Sequence, residues 1–318
     1  MGHKWRDIRA MRAEPPGLVG DDEARRLVFS AALQQAEELH RAAGHTGFAS
    51  RPLPLFYALS QGGRAIAAAR SQRSWKIKGH GMKCTSGSSV LEAKLTVTRQ
   101  GAVPTVARAT GSAAFKAPVK LGTLLASLPE VAERAAPHVN APVAIPLHLD
   151  DTAARNERYL QLSPPLGFSA IYFGPEGTLP PAERQERLER ALAPYPRARG
   201  WQSHSAWITK DGSRGIGLSW PIEEDGVRGY RALELVATRL DDLYYLRPGI
   251  GAGGAEISLL MTWWAVLLGL SSLARYEPAS WRSGLDSDSS VIASLLEETL
   301  DRAQERVPEL IHSALVET

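Results

Sequence analysis

The sequence predicts an α+β protein: a mostly helical bundle formed by N- and C-terminal helices, with a mixed α/β block in the middle. Three observations carry this expectation. Both ends hold helical patterns with apolar faces, and the middle changes repeatedly between helix-like and strand-like spacing. Proline and glycine punctuate that middle at Pro164-Pro165, Pro180-Pro181 and Pro194 to Gly200. Terminal helices of this kind bury their stripes most economically against each other, with the α+β block inserted between or beside them. The 318 residues then divide into an N-terminal arm (1–20), a first helical part (21–73), an inserted α+β block (74–247) and a second helical part (248–318).

Each element follows from local patterning. Asp21 or Asp22 can cap a helix through "EARRLVFSAALQQAEELHRAAG", with Leu27, Ala31, Ala32 and Leu39 near one face and Gly44 as a stop. Pro52 and Pro54 suit the first turn of a second helix to about Arg70, whose stripe is Leu55, Ala58, Ile66 and Ala67. In the block, "VLEAKLTVTR", "APVAIPLHL", "GFSAIYFG", "HSAWITK" and "RGIGLSW" read as strands, and "LGTLLASLPEVAERA" and "PAERQERLERALA" as helices. After "RPGIGAGG" come an apolar helix over Glu256 to Arg275, a turn at Pro278, and an amphipathic helix from about Ser290.

Hydrophobic content of 44% and charged content of 22% exclude a mainly disordered chain. One cysteine excludes an internal disulfide, and "MGHKWRDIRAMRAEPPG" has charges but no apolar core, so the reducing cytoplasm is the expected location. The net charge of +3 reads as a mild excess spread over the chain, which permits nucleic-acid binding without requiring it. The uncharged run Ile257 to Ala274 approaches the roughly 20 residues a bilayer requires. Trp263 and Trp264 lie inside it and Ser271 and Ser272 interrupt it, so a buried helix is expected and no membrane.

Candidate functional side chains concentrate in "FYALSQGGRAIAAARSQRSWKIKGHGMKC", Phe56 to Cys84. Lys78, His80 and Lys83 could depress the pKa of Cys84, but no protease-type sequence surrounds that thiol. His3, His40, His45, His80, His138, His148, His204 and His312 are scattered and no CxxC occurs, so neither a metal site nor a cofactor is expected. Gly79, Gly81 and Gly87, with Thr85, Ser86, Ser88 and Lys83, could cradle a phosphate, although a flexible glycine-serine loop is the plainer reading. Arg73 and His80, with six residues between them, are the catalytic candidates that the second resemblance given below implies; arginine can stabilise phosphate charge and histidine can act as a base near neutral pH. "RSWKIKGH", however, reads as a turn leading into a strand.

"RPLPLFYALSQGGRAIAAA" followed by "GHG", and then "LLMTWWAVLLGLSSLARYEPASW" before a closing amphipathic helix, resembles the bacterial YaaC-like proteins over most of the chain. The helical blocks are in turn similar to HEPN-related bundles, and Arg73 with His80 meets their loose arginine-to-histidine spacing. That second resemblance implies a nucleic-acid- or nucleotide-directed protein, with a ribonuclease role in stress or phage defence, and it implies fold more than function. It would place Tyr57, Gln61 and Arg64 on one face toward the His80-Gly81 turn, with Arg275, Tyr276 and Glu277 closing the cleft. Arg64 and Glu277 could instead form a buried ion pair docking the two helical halves. The alternative functions are a non-catalytic scaffold or regulator bound to a protein partner, and an enzyme using the glycine-rich loop. The expected partners are thus a nucleic acid or nucleotide, a protein, or a second copy of the chain.

Overall fold

The structure is a computed structural model that describes residues 2–20, 22–73, 75–149, 159–163, 180–199, 201–208, 214–221, 233–234, 237–251 and 254–316. The expected strand "GFSAIYFG" lies outside the described residues. The fold is α+β with helical termini, and the chain forms two compact units, Met1–Ala141 with Ile250–Thr318, and Pro142–Gly249.

The first unit contains helices α1 (Gly2–Ala13), α2 (Glu23–Gly44), α3 (Pro52–Arg70), α4 (Ala102–Ala109), α5 (Leu121–Ala126) and α6 (Ala132–Ala135) from its N-terminal part. Asp22 caps α2 by accepting the Arg25 backbone N–H, and prolines occupy the first turn of α3. The "arm" is the helix α1, and its Trp5 and Ile8 are buried. Strands β1 (Met82–Thr85), β2 (Lys94–Val97) and β3 (Val119–Lys120) form an antiparallel sheet in that order, and the stretch 75–141 belongs to this unit with the helices.

Where one helix was expected over "LGTLLASLPEVAERA", the structure has α5 and α6 with a turn between them. Pro129 accounts for the break, because its ring removes a backbone donor and biases the preceding residue away from helical backbone.

The C-terminal part of the unit contributes α8 (Leu259–Tyr276), α9 (Pro278–Leu285) and α10 (Ala293–Val316). Ser258 caps α8 by accepting the Met261 N–H. Helix α8 is long and apolar enough to cross a bilayer by length and composition, and 72% of it is buried inside the protein. Trp263 and Trp264 are fully covered, and the Trp263 indole N–H donates to Glu130 Oε1 at 3.1 Å.

Helix α3 touches α2, α4, α8 and α10. Two adjacent glycines permit this crowding. A Cβ on Gly63 would lie 2.0 Å from the Trp264 ring, and one on Gly62 would lie 2.4 Å from Ile311.

The second unit holds α7 (Pro181–Leu192) and an antiparallel sheet ordered β6-β7-β5-β4-β9-β8. The strands are β4 (Ile145–Leu149), β5 (Tyr159–Ser163), β6 (Gln202–Ile208), β7 (Arg214–Pro221), β8 (Thr238–Leu240) and β9 (Leu243–Leu246). Leu188 and Leu192 of α7 share a core with Ile145, Leu147, Leu218 and Leu246. Helix on one sheet face, with its charged residues outward, is the layering that the "PAERQERLERALA" pattern implies.

Candidate functional site

Helical spacing sets Tyr57, Gln61 and Arg64 along one side of α3, where all three are half-buried. The helix stops at Arg70, and its open C-terminal carbonyls are met by a side chain: the Arg25 guanidinium donates to Ala68 O at 2.6 Å and Ser71 O at 3.0 Å. The same guanidinium lies 5.0 Å from the Trp75 ring centre, which anchors the returning chain. Arg64 Nη1 then donates to the Ile77 carbonyl at 3.3 Å, tying the return segment to α3.

The Gly-His-Gly turn comes next. Gly79 and Gly81 have φ of 70° and 76°, which side-chain-bearing residues adopt at a cost. The turn caps α4: the Gly79 and His80 carbonyls accept the Ala102 and Val103 N–H groups, each at 3.0 Å. These N–H groups belong to the first turn of α4 and have no partner within the helix.

A Cβ on Gly81 would sit 2.5 Å from Pro104, and one on Gly101 would sit 2.4 Å from the Gly81 nitrogen. A Cβ on Gly87 would likewise sit 2.5 Å from the Glu92 backbone. Close backbone packing therefore explains Gly81 and Gly87, and a phosphate cradle is not needed to account for them.

Held this way, the half-buried His80 ring packs edge-on against Phe56 at 5.1 Å and Tyr57 at 6.2 Å between centroids. Arg275, in the last turn of α8, approaches the same rings. Its Nη1 donates to the Tyr57 hydroxyl at 3.3 Å, its Nε donates to Ser271 O at 3.3 Å, and its guanidinium stacks 4.8 Å from the Tyr276 ring centre.

Burial first, then the positive fields of Arg275 and Arg64, push the His80 pKa below the ordinary histidine value. The geometry thus gathers Tyr57, Arg64, His80 and Arg275 into one cluster, with Gln61 on the same stripe.

The remaining candidates divide. Tyr276 is 72% exposed at the edge of the cluster. Glu277 is exposed and closes α8 through its backbone N–H to Leu273 O, so the alternative of a buried pair with Arg64 does not form. Among the described residues, neither Arg64 nor Arg275 has a carboxylate partner. Lys83 lies on β1, three residues past His80, and is exposed.

Arg73 and His80 share no helix. Helix α3 ends at Arg70, Arg73 is exposed in the following bend, and His80 sits in the loop, so no common helical face holds the candidate catalytic pair. Cys84 faces the covered side of the sheet, and burial pushes its thiol pKa up, away from the reactive thiolate. Among the described residues no three His, Cys, Asp or Glu side chains gather in a metal-binding group.

Sequence patterning did not find Phe56 as the floor of the His80 ring, nor the histidine that works structurally. His40 Nδ1 accepts from Trp5 Nε1 at 3.1 Å, and Nε2 meets Gln304 O at 2.7 Å. Nothing local to "EELHRAAG" signals partners so distant in sequence.

The pattern describing YaaC-like proteins matches residues 20–315, nearly the whole chain, and the chain belongs to the YaaC-like family. No curated protein and no solved structure matches it.

Proposed function

We propose that this YaaC-like protein recognises a phosphate-bearing, nucleotide-type ligand at the cluster of Tyr57, Arg64, His80 and Arg275. The observation that carries this reading is a concentration of positive charge without a counter-ion. Two half-buried arginines act on one histidine, and among the described residues no carboxylate pairs with either. Partly buried cations repel each other unless an anion joins them, and guanidinium groups suit phosphate oxygens in particular.

The rings complete the fit. Tyr276 and Tyr57 flank Arg275 and offer faces to a base, while a neutral His80 can accept a hydrogen bond from a sugar hydroxyl. A neutral imidazole beside two arginines is also competent to take a hydroxyl proton next to a phosphate, the division of labour in phosphoryl transfer.

Calorimetric titration with adenosine monophosphate, adenosine and inorganic phosphate tests the reading. Adenosine monophosphate should bind more tightly than adenosine, and Arg275→Gln should weaken it about tenfold, roughly 1.4 kcal/mol. Equal binding of adenosine and its monophosphate, or an unchanged affinity in a folded Arg275→Gln protein, would remove the proposal.

A further inference from the structure

The positive excess, expected above to be spread over the chain, is instead concentrated in one stretch. Between Leu39 and Pro129 the sequence has thirteen lysines and arginines and a single carboxylate, Glu92, although the whole chain is only +3. This basic stretch includes the return segment, the His80 turn and the whole three-stranded sheet. Its exposed members include Arg73, Lys76, Lys78 and Lys83 around the turn.

The sheet sorts its residues by face. Lys83 pairs with Thr96, Thr85 with Lys94, and Lys94 in turn with Lys120. Directly paired residues in an antiparallel sheet point to the same side, and residues two apart do likewise. Lys83, Thr85, Lys94, Thr96 and Lys120 therefore share one face, and all three lysines are exposed. Met82, Leu95 and Val119 are buried on the other.

Like charges directly opposite each other, as Lys94 and Lys120 are, destabilise a sheet. Glu92 offsets one of them, with its Oε2 2.8 Å from Lys120 Nζ. Among the described residues, Lys83 and Lys94 have no carboxylate partner. Lysine on an edge strand can be explained as a guard against edge-to-edge aggregation. That explanation covers Lys83 and Lys120 on the outer strands. It does not cover Lys94, because β2 is the central strand.

Resting on the phosphate-site reading above, we infer that the ligand is a single-stranded nucleic acid. Its backbone runs from the Arg64, His80 and Arg275 cluster onto the lysine face of Lys83, Lys94 and Lys120. Lys83 follows His80 by three positions, so the turn leads directly into β1, the edge strand of this face. The exposed Tyr276 ring, backed by Arg275, favours a single strand over a duplex, since only an unpaired base offers a free face for stacking. A basic track next to an aromatic platform is how proteins hold single strands without reading their sequence.

Fluorescence anisotropy with labelled single-stranded RNA and DNA of about a dozen nucleotides, their duplexes, and vesicles containing anionic lipid would test the inference. Single strands should bind more tightly than duplex or vesicles, and Tyr276→Ala should weaken them severalfold. Lys83→Gln/Lys94→Gln/Lys120→Gln, all surface changes, should reduce the slope of log affinity against log salt by about 2, because each neutralised phosphate of a single strand adds about 0.7 to that slope.

An unchanged salt slope in the triple variant overturns the track, and equal binding of duplex or vesicles overturns the single-strand assignment. Adenosine monophosphate binding without oligonucleotide binding would overturn this inference alone and leave the phosphate site standing. Failure of both ligands would remove both readings.

Discussion

Desolvation, together with Arg275 and Arg64, holds the His80 imidazole below its usual range, so the ring is neutral near neutral pH. Each cause predicts a measurable response. Replacing Arg275 with glutamine removes a lowering field and should raise the His80 pKa. A phosphate lodged between the arginines should raise it too, by opposing their charge. Nuclear magnetic resonance titration of the His80 ring protons, with and without adenosine monophosphate, reads both effects. If the nucleotide binds and the titration does not move upward, the phosphate is elsewhere.

At this scale the sequence was informative where spacing decides the matter. Tyr57, Gln61 and Arg64 fall on one helical stripe by arithmetic, and Arg275 ends an unmistakable apolar run. It was uninformative where approach between distant segments decides. Gly81 needs its positive φ and its missing Cβ because Pro104 and Gly101 lie against it, and that approach arises only after β2 and α4 have folded back.

Helix α3 shows the same division between elements. Its prolines at the start and its alanine-rich stripe announce a helix, and two internal glycines argue weakly against one, by about 1 kcal/mol each relative to alanine. Packing outweighs that propensity, because Gly63 is where the Trp264 ring crosses and Gly62 is where Ile311 crosses. Gly63→Ala should therefore lower stability by about 1–3 kcal/mol through overpacking, despite alanine's better helix propensity.

Leu268→Ala, in the buried face of α8, should cost about 2–5 kcal/mol through the cavity it leaves. Denaturant unfolding monitored by circular dichroism measures both. A more stable Gly63→Ala protein would mean that α3 and α8 do not pack as closely as described. Helix α4 escaped the sequence reading because "AVPTVARA" is short and has a proline near its start, which a first turn tolerates.

For the whole molecule, the histidines couple the fold to pH. His40 joins three helices: α2 carries it, Trp5 of α1 donates to its Nδ1, and its Nε2 donates to the Gln304 carbonyl of α10. That arrangement requires the neutral ring, since a proton on Nδ1 would face the Trp5 N–H. Burial correspondingly lowers the His40 pKa, opposed by the Gln304 hydrogen bond and by Glu37. Burial also lowers His80 and His312, assisted by nearby cations.

All three shifts have the same sign. Below the unfolded value of 6.5 the unfolded chain takes up protons that the folded chain resists. Stability from these groups is then fully present above that value and is lost as pH falls from it through the folded values. The thermal midpoint should accordingly drop between about pH 7.5 and about pH 5.5, a range above that in which most carboxylates titrate. His40→Gln should be less stable at the upper pH and should show a shallower drop, because one of the three resisting groups is gone. A midpoint that is constant or rises on acidification would contradict the neutral His40 that holds α1, α2 and α10 together.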